Sequence, residues 1–312
     1  MKSQSITLRY PFKSKTSPHL DLLEHNVQQW VDDLQCLPES VRDGYKKSNF
    51  GKMIANSFPN AKIEQLIPIG RLILIDVSFD DFYAFCTFKE FEEASQKVIE
   101  MLKGASPKFN DNEFFKQFAL IRSEFLEIVP NYFMERIIEH HQLWLDGMKM
   151  EHEYNNKQPI CYPTLDEYKF IRERIVGGEV ACDMLEIVSD FIMPDEIILN
   201  PTIKRLRQLV SLIMSWFNDI HSVERELLRK ETMNLVLVIQ NEMNCSLESA
   251  YEQAIQIHND DLNEFITIKQ NLPDFGMYQD SVKTFVNNAE LFLKAQESWY
   301  YGGTERYNYP EI

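Results

Sequence analysis

Residues 203–226 read IKRLRQLVSLIMSWFNDIHSVERE, and this stretch indicates how most of the chain folds. Its apolar side chains recur at spacings of three and four, which predicts one apolar face of an α-helix. The apolar positions are Ile203, Leu206, Leu209, Val210, Ile213, Met214 and Phe217. Polar residues follow with a related spacing, because Asn218, Ser222 and Glu226 lie four residues apart. Their side chains therefore project from one face of the predicted helix within two turns.

Helical periodicity extends over nearly all of the 312 residues. Thr164 to Glu167 has the pattern of a capping box, and Pro130 is placed to end or kink the helix before it. Only 10 residues are glycine, and we find no convincing alternation of apolar and polar residues that would predict a strand. The other segments with helical spacing are 20–35, 114–129, 131–152, 232–244, 246–270 and 278–299. We expect an all-α fold, with one domain over residues 1–312.

Composition excludes several classes of protein. The formal net charge of −16 argues against a nucleic-acid or membrane partner, because both need basic patches. The five cysteines are widely spaced and include no CxxC pair, which indicates a reducing compartment. The most apolar stretch, residues 66–79, is interrupted by Arg71 and Asp76 and is too short to span a bilayer. We therefore expect a cytoplasmic protein.

Two groups of oxygen-bearing side chains are candidate metal ligands. Asn218, Ser222 and Glu226 offer an amide oxygen, a hydroxyl and a carboxylate on one helix face, a donor set that suits a hard cation such as Mg²⁺. Asp80 and Asp81 follow an apolar run and lie among aromatic residues, where carboxylates are costly to bury without a cation. A polar helix end and a solvated acidic face are the alternative interpretations of these two groups.

Basic residues and a glycine pair form two further candidates. Arg306 and Tyr307 follow an aromatic segment and could close on a phosphate. Arg172 and Arg174 precede Gly177 and Gly178, and two adjacent glycines in a glycine-poor chain indicate a helix break.

Together these motifs resemble those of class I terpene synthases of the microbial type. That family carries, in this order, an acidic motif DDxx(D/E), an arginine before a helix break, a triad (N/D)Dxx(S/T)xxx(E/D) and a C-terminal Arg-Tyr pair. The matching residues here are Asp80-Asp81, Arg174 with Gly177-Gly178, Asn218 with Ser222 and Glu226, and Arg306-Tyr307. The resemblance covers almost the whole chain and implies a helical bundle around a central active-site cavity.

The resemblance also implies a role for each matched residue. Asp80 would bind two of three Mg²⁺ ions, for which Mn²⁺ can substitute, with Asp81 beside it as a further ligand or a supporting group. Asn218, Ser222 and Glu226 would bind the third ion. The residues expected to hold the diphosphate are Arg174, Arg225, Arg306 and Tyr307, with Arg172 as a rival to Arg174. Gly178 would match the position at the helix break whose carbonyl faces the substrate, with Gly177 as its linker.

The implied reaction is the ionisation of an allylic prenyl diphosphate, followed by cyclisation of the carbocation and release of diphosphate. Farnesyl diphosphate is the favoured substrate and geranylgeranyl diphosphate the next, and members of the family are monomers or homodimers. Aromatic side chains would line the pocket and stabilise cations through their ring faces. The candidates are Phe79, Tyr83, Trp216 and Trp299, and simple core packing is the alternative for each.

One departure from the family pattern bears on activity. Position 84, where the acidic motif has its third acid, is Ala84. A catalytically degenerate helical binding protein is therefore one alternative, and a prenyltransferase is another, although the latter would need a second aspartate-rich motif. We expect no acid–base role for the histidines, which are interpreted as solvated or hydrogen-bonded.

Overall fold

The structure is a computed structural model that describes residues 8–84, 86–154 and 160–306. Within these ranges it consists of α-helices, one short 3₁₀ turn at Gly276–Tyr278 and connecting segments, with no strand, so the all-α prediction is confirmed. The helices are α1 Leu20–Asp33, α2 Glu39–Lys47, α3 Phe50–Ser57, α4 Ile63–Tyr83, α5 Phe88–Leu102, α6 Glu113–Leu126, α7 Asn131–His152, α8 Leu165–Ile175, α9 Gly178–Val188, α10 Asp195–Ile198, α11 Pro201–Arg229, α12 Leu235–Met243, α13 Leu247–Gln270 and α14 Gln279–Tyr301.

The helix signals in the sequence appear where they were expected. Thr164 accepts a hydrogen bond from the Glu167 amide, which completes the capping box before α8. Pro130 immediately precedes α7, whose bounds match the predicted segment. The helix predicted at 203–217 is longer, because α11 continues to Arg229 and carries the polar triad in its last turns.

Helix α4 was not recognised by its periodicity because it has little. Apolar residues surround its axis, and it packs against α1, α3, α6 and α9. A helix that is buried on nearly all sides shows no apolar stripe, so the pattern carries no period to detect. Helix α11 packs against α8, α9, α12, α13 and α14. These two long helices hold most of the predicted site residues.

A break between α8 and α9 lies where the two glycines predicted it. Gly177 has a φ of +69°, a left-handed conformation that residues with a side chain adopt at a cost. Gly178 lies against α11, and a Cβ built there would be 1.8 Å from the Ser211 hydroxyl oxygen. The first glycine turns the chain and the second permits close packing of α9 on α11.

The segment before α1 is bound to the last long helix. The Tyr10 amide donates to Glu297 at 2.6 Å, and the Leu8 amide donates to the Tyr301 hydroxyl at 2.9 Å. These contacts hold the end of α14, from which the chain runs to Arg306. Among the described residues, no helix is long and apolar enough to cross a membrane.

The glycine pair yields a test of this packing. Gly178→Ala should lower the free energy of unfolding by about 2 kcal/mol, because overpacking a tight contact costs ~1–3 kcal/mol. Gly177→Asn is the matched control, since the space around it is open and asparagine tolerates a left-handed backbone. Urea unfolding of the two variants measures the difference, and equal losses would contradict the close contact with Ser211.

Candidate active site

A cavity of about 360 Å³ lies between the helices, in the size range of small-molecule sites. Side chains from α3, α4, α5, α7, α8, α9, α11 and α14, together with the α8–α9 break, line it. Much of the wall is apolar, with residues such as Leu72, Ile73, Trp144, Met148, Met184 and Phe292. Polar and charged side chains occupy another part of it. Those that the sequence predicted are Asp80, Asp81, Arg172, Asn218, Ser222, Arg225, Glu226 and Arg306.

The polar triad on α11 presents oxygen atoms to this cavity. The Ser222 hydroxyl donates to Glu226 Oε1 at 2.7 Å, and the Asn218 amide oxygen accepts from Arg172 at 2.9 Å. The second oxygen of Glu226, Oε2, is buried and makes no hydrogen bond with the described residues. A buried carboxylate oxygen without a partner is costly unless a cation meets it. An amide, a hydroxyl and a carboxylate therefore fit a hard divalent cation.

The two aspartates at the end of α4 have opposite environments. Asp81 receives two hydrogen bonds from Arg306, at 2.7 and 3.1 Å, another from Arg225 at 3.3 Å, and one from the Tyr45 hydroxyl. Burial opposes its charge, but the two arginines outweigh burial and lower the pKa of Asp81 to about 2. Burial and the neighbouring Asp81 raise the pKa of Asp80 to about 6. Arg306, Arg172 and Arg225 offset only part of this effect, so Asp80 is the less well compensated of the two aspartates.

The arginine at the cavity before the helix break is Arg172. Its guanidinium bonds Asp219 at 2.7 Å and also reaches Asn218. Arg174 does not line the cavity, because its guanidinium lies 3.6 Å from the Phe170 ring centre and donates to the Phe170 carbonyl. Two residues along a helix rotate a side chain by about 200°, so only one of the two arginines can face the cavity. The structure thus corrects the preference for Arg174.

The helix break also differs in detail from the expectation. Val176 and Gly177 line the cavity, whereas Gly178 is buried against Ser211. The Gly177 carbonyl accepts a hydrogen bond from the Ala181 amide at 2.9 Å. The structure therefore does not place Gly178, the expected position of the cavity-facing carbonyl, in the cavity wall. Tyr307 lies outside the described residues.

Two of the four aromatic candidates line the cavity. Tyr83 and Trp299 do so, and the Trp299 indole also donates to the Ser48 carbonyl at 2.7 Å. Phe79 is fully buried in an aromatic cluster with Phe114 and Phe118 and does not line the cavity. Trp216 is buried as well, and its indole donates to Asp261 at 2.7 Å. For these last two residues, the core-packing alternative is the one the structure shows.

Several cavity residues carried no signal in the sequence. Glu151 and Glu231 also line the cavity, and burial raises the pKa of the first to about 8 and of the second to about 7. Nearby carboxylates add to both shifts, Asp80 for Glu151 and Glu226 for Glu231. These acids reach the site from the end of α7 and the segment after α11, so only the tertiary fold brings them together. The added negative charge increases the demand for cations.

Comparison with known proteins places these features in a family. Residues 72–264 match the family described as terpene synthase family 2, C-terminal metal binding. The chain is 27% identical over 308 residues to germacrene A synthase of Nostoc punctiforme, covering 97% of this chain and 94% of that one. It is 26% identical to 10-epi-cubebol synthase of Sorangium cellulosum, covering 96% and 97%. The crystal structure of α-eudesmol synthase superposes with a TM-score of 0.80 at 21% identity, covering 95% and 99%.

A family match over more than half of the chain agrees with the fold and with the arrangement of acids and arginines around the cavity. The chain therefore belongs to the microbial class I terpene synthases, which are lyases. The family description supports the use of divalent metal, in agreement with the unpartnered oxygen of Glu226.

The two adjacent aspartates should have opposite effects on the metal-free protein. In EDTA at pH 7, Asp81→Asn should lower the free energy of unfolding by about 2 kcal/mol. The lowered pKa of Asp81 means that the fold favours its ionised carboxylate, and asparagine loses this contribution. Asp80→Asn should raise it by a similar amount, because a raised pKa means that the charge is unfavourable in the fold.

The pH dependence separates the two effects. The loss in Asp81→Asn should stay constant from pH 7 to 4.5, since that contribution disappears only below about pH 4. The gain in Asp80→Asn should shrink as the pH falls through about 6 toward 4, where the folded wild-type carboxyl becomes protonated. Urea unfolding at several pH values measures both. Changes of the same sign in the two variants would contradict the opposite pKa shifts of Asp80 and Asp81.

Proposed function

We propose that the chain, acting as one domain over residues 1–312, is a Mg²⁺-dependent cyclase of a prenyl diphosphate, with farnesyl diphosphate as the favoured substrate. The observation that carries this proposal is the cavity itself, in which oxygen donors for metal and four arginines share one enclosure with apolar walls. Arg172, Arg225 and Arg306 are the three proposed to bind the substrate, and the fourth, Arg229, pairs with Glu231. A relative that is 25% identical, from Roseiflexus castenholzii, is named as a (+)-T-muurolol synthase that cyclises (2E,6E)-farnesyl diphosphate, which supports this substrate.

In this proposal, Asp80 holds metal at one side of the cavity, and Asn218, Ser222 and Glu226 hold it at the other. When bound, the Mg²⁺ ions neutralise the charge that builds on the leaving diphosphate. The donor set supports oxygen-preferring ions, and the number of three follows the family resemblance. The acidic motif lacks one carboxylate because position 84 is alanine. Glu151 lies close enough to Asp80 to raise its own pKa, so another acid is present on the same side of the cavity.

The arginines hold the diphosphate by exchanging partners. In the structure Arg225 and Arg306 bond Asp81, and Arg172 bonds Asp219 and Asn218. Guanidinium groups bind carboxylate and phosphate oxygens with the same two-pronged geometry, so a phosphate can replace a carboxylate. Tyr307 is proposed to assist Arg306, as the family resemblance implies.

The remaining walls fold the prenyl chain and exclude water. A carbocation formed in the cavity would react with water that entered, so the apolar walls protect it as well as shape it. Aromatic faces such as those of Tyr83 and Trp299 stabilise positive charge. The chemistry then ends in a cyclic hydrocarbon or alcohol.

Incubation with geranyl, farnesyl and geranylgeranyl diphosphate and Mg²⁺, followed by gas chromatography–mass spectrometry, tests the proposal. A cyclic product from farnesyl diphosphate is expected. Linear alcohols alone would mean that the cavity ionises the substrate without shaping it. In a parallel incubation that also contains isopentenyl diphosphate, a longer prenyl diphosphate as the product would identify a prenyltransferase. No turnover of any substrate in either incubation would favour a protein that only binds.

The triad has its own test in Glu226→Gln. This change keeps the size of the side chain and removes its charge, so kcat/KM should fall at least 100-fold, or about 2.7 kcal/mol in transition-state stabilisation. Asp260→Asn is the matched control, because Asp260 is exposed on α13 outside the cavity. Activity of Glu226→Gln close to that of the control would overturn the metal assignment on α11.

A further inference from the structure

One acidic side chain lies in the apolar part of the cavity wall. Asp76 is on α4 one turn before Asp80, which places it about 6 Å along the helix axis from the aspartate pair. Its neighbours on the cavity side of α4 are Ile73 and Val77. Burial raises the pKa of Asp76, so its carboxylate is more basic than an exposed one.

A buried histidine on α7 faces this carboxylate. His141 has no exposed surface, and its Nε2 lies 3.4 Å from Asp76 Oδ2. Its other nitrogen, Nδ1, is 2.9 Å from the Ile137 carbonyl oxygen, which can only accept, so Nδ1 carries a proton. Burial alone would lower the pKa of His141, but the Asp76 carboxylate outweighs burial and raises it. The pair is therefore best described as an imidazolium beside a carboxylate.

This carboxylate differs from the other acids around the cavity. The others are Asp80, Asp81, Glu151, Glu226 and Glu231, and each of them interacts with arginine side chains. The charged partner of Asp76 is the imidazole of His141, and its Oδ1 is buried with no hydrogen-bond partner among the described residues. Asp76 is thus an acceptor with unused capacity, one helical turn away from the metal and diphosphate ligands.

We propose that Asp76 accepts the proton whose loss ends the cyclisation, and that His141 acts as a positioning residue for it; this inference rests on the proposed cyclase function. A C–H bond next to the cationic carbon breaks, and its electron pair becomes the π bond of the product alkene. The proton passes to a carboxylate oxygen of Asp76. The carbocation and the carboxylate thus become a neutral alkene and a carboxylic acid, which loses its proton to solvent when the products leave, so charge and atoms balance. The location of Asp76 then decides which C–H bond is broken.

Asp76→Asn tests this role, because asparagine keeps the shape and offers an amide oxygen to His141 Nε2 but is not basic. Diphosphate release should stay within about threefold of wild type, since Asp76 is not among the proposed metal and diphosphate ligands that drive ionisation. The share of the main alkene should fall at least fivefold, in favour of alcohols or isomers with a shifted double bond. The stabilisation by Mg²⁺ plus inorganic diphosphate should be unchanged. Asp260→Asn is the control for each measurement.

Two further variants keep the test decisive. If Asp76→Asn does not fold, Asp76→Glu retains a carboxylate but moves it by one methylene, and the proportions of alkene isomers should change. His141→Gln should change the proportions in the same direction as Asp76→Asn while KM stays within about twofold, a result that a purely structural role would not give.

Three results would overturn the inference. They are unchanged product proportions in the folded Asp76 variant, a parallel loss of diphosphate release and all products, and a wild-type enzyme that makes only alcohols. A wild-type chain that releases no diphosphate from any prenyl substrate would instead show that the proposed cyclase function fails, and this inference with it.

Discussion

The pairing of arginines with buried carboxylates at the cavity is the interaction on which the site depends. Isolated carboxylates are costly to bury, and here Asp81 and Asp219 are stabilised by guanidinium groups. Arg306 and Arg225 connect the segment after α14 and the end of α11 to α4, and Arg172 connects α8 to α11. The same contacts that stabilise the acids therefore hold together the helices that surround the cavity.

The pairing of arginines with carboxylates also links ligand binding to the approach of the helices around the cavity. Metal at Asp80 and at the α11 triad would add positive charge beside Asp81 and Asp219. The arginines that now pair with these two acids would then be free to meet an anionic ligand. Any ligand that bonds all three arginines must draw together α8, α11 and the segment that follows α14. The left-handed conformation of Gly177 turns the chain between α8 and α9 beside the cavity, while Gly178 keeps the close contact of α9 with Ser211.

The sequence was sufficient for the helical class and for residues whose spacing carries meaning. A four-residue period brought Asn218, Ser222 and Glu226 to one face, and the structure has them there. Spacing could not choose between Arg172 and Arg174 without the rotational phase of α8, nor could it tell that Trp216 packs against α13 rather than the cavity. Asp76 looked like an interruption of an apolar run. Its contact with His141, sixty-five residues away, exists only in the tertiary fold.

The melting temperature in EDTA, with Mg²⁺, with inorganic diphosphate, and with both tests the arginine exchange most directly. A ligand at a hundred times its Kd stabilises the folded state by about 2.7 kcal/mol, which corresponds to a rise of about 4 °C. The rise should require both components and should be largely lost in Arg306→Gln. No rise with both components, or an equal rise with diphosphate alone, would contradict the account.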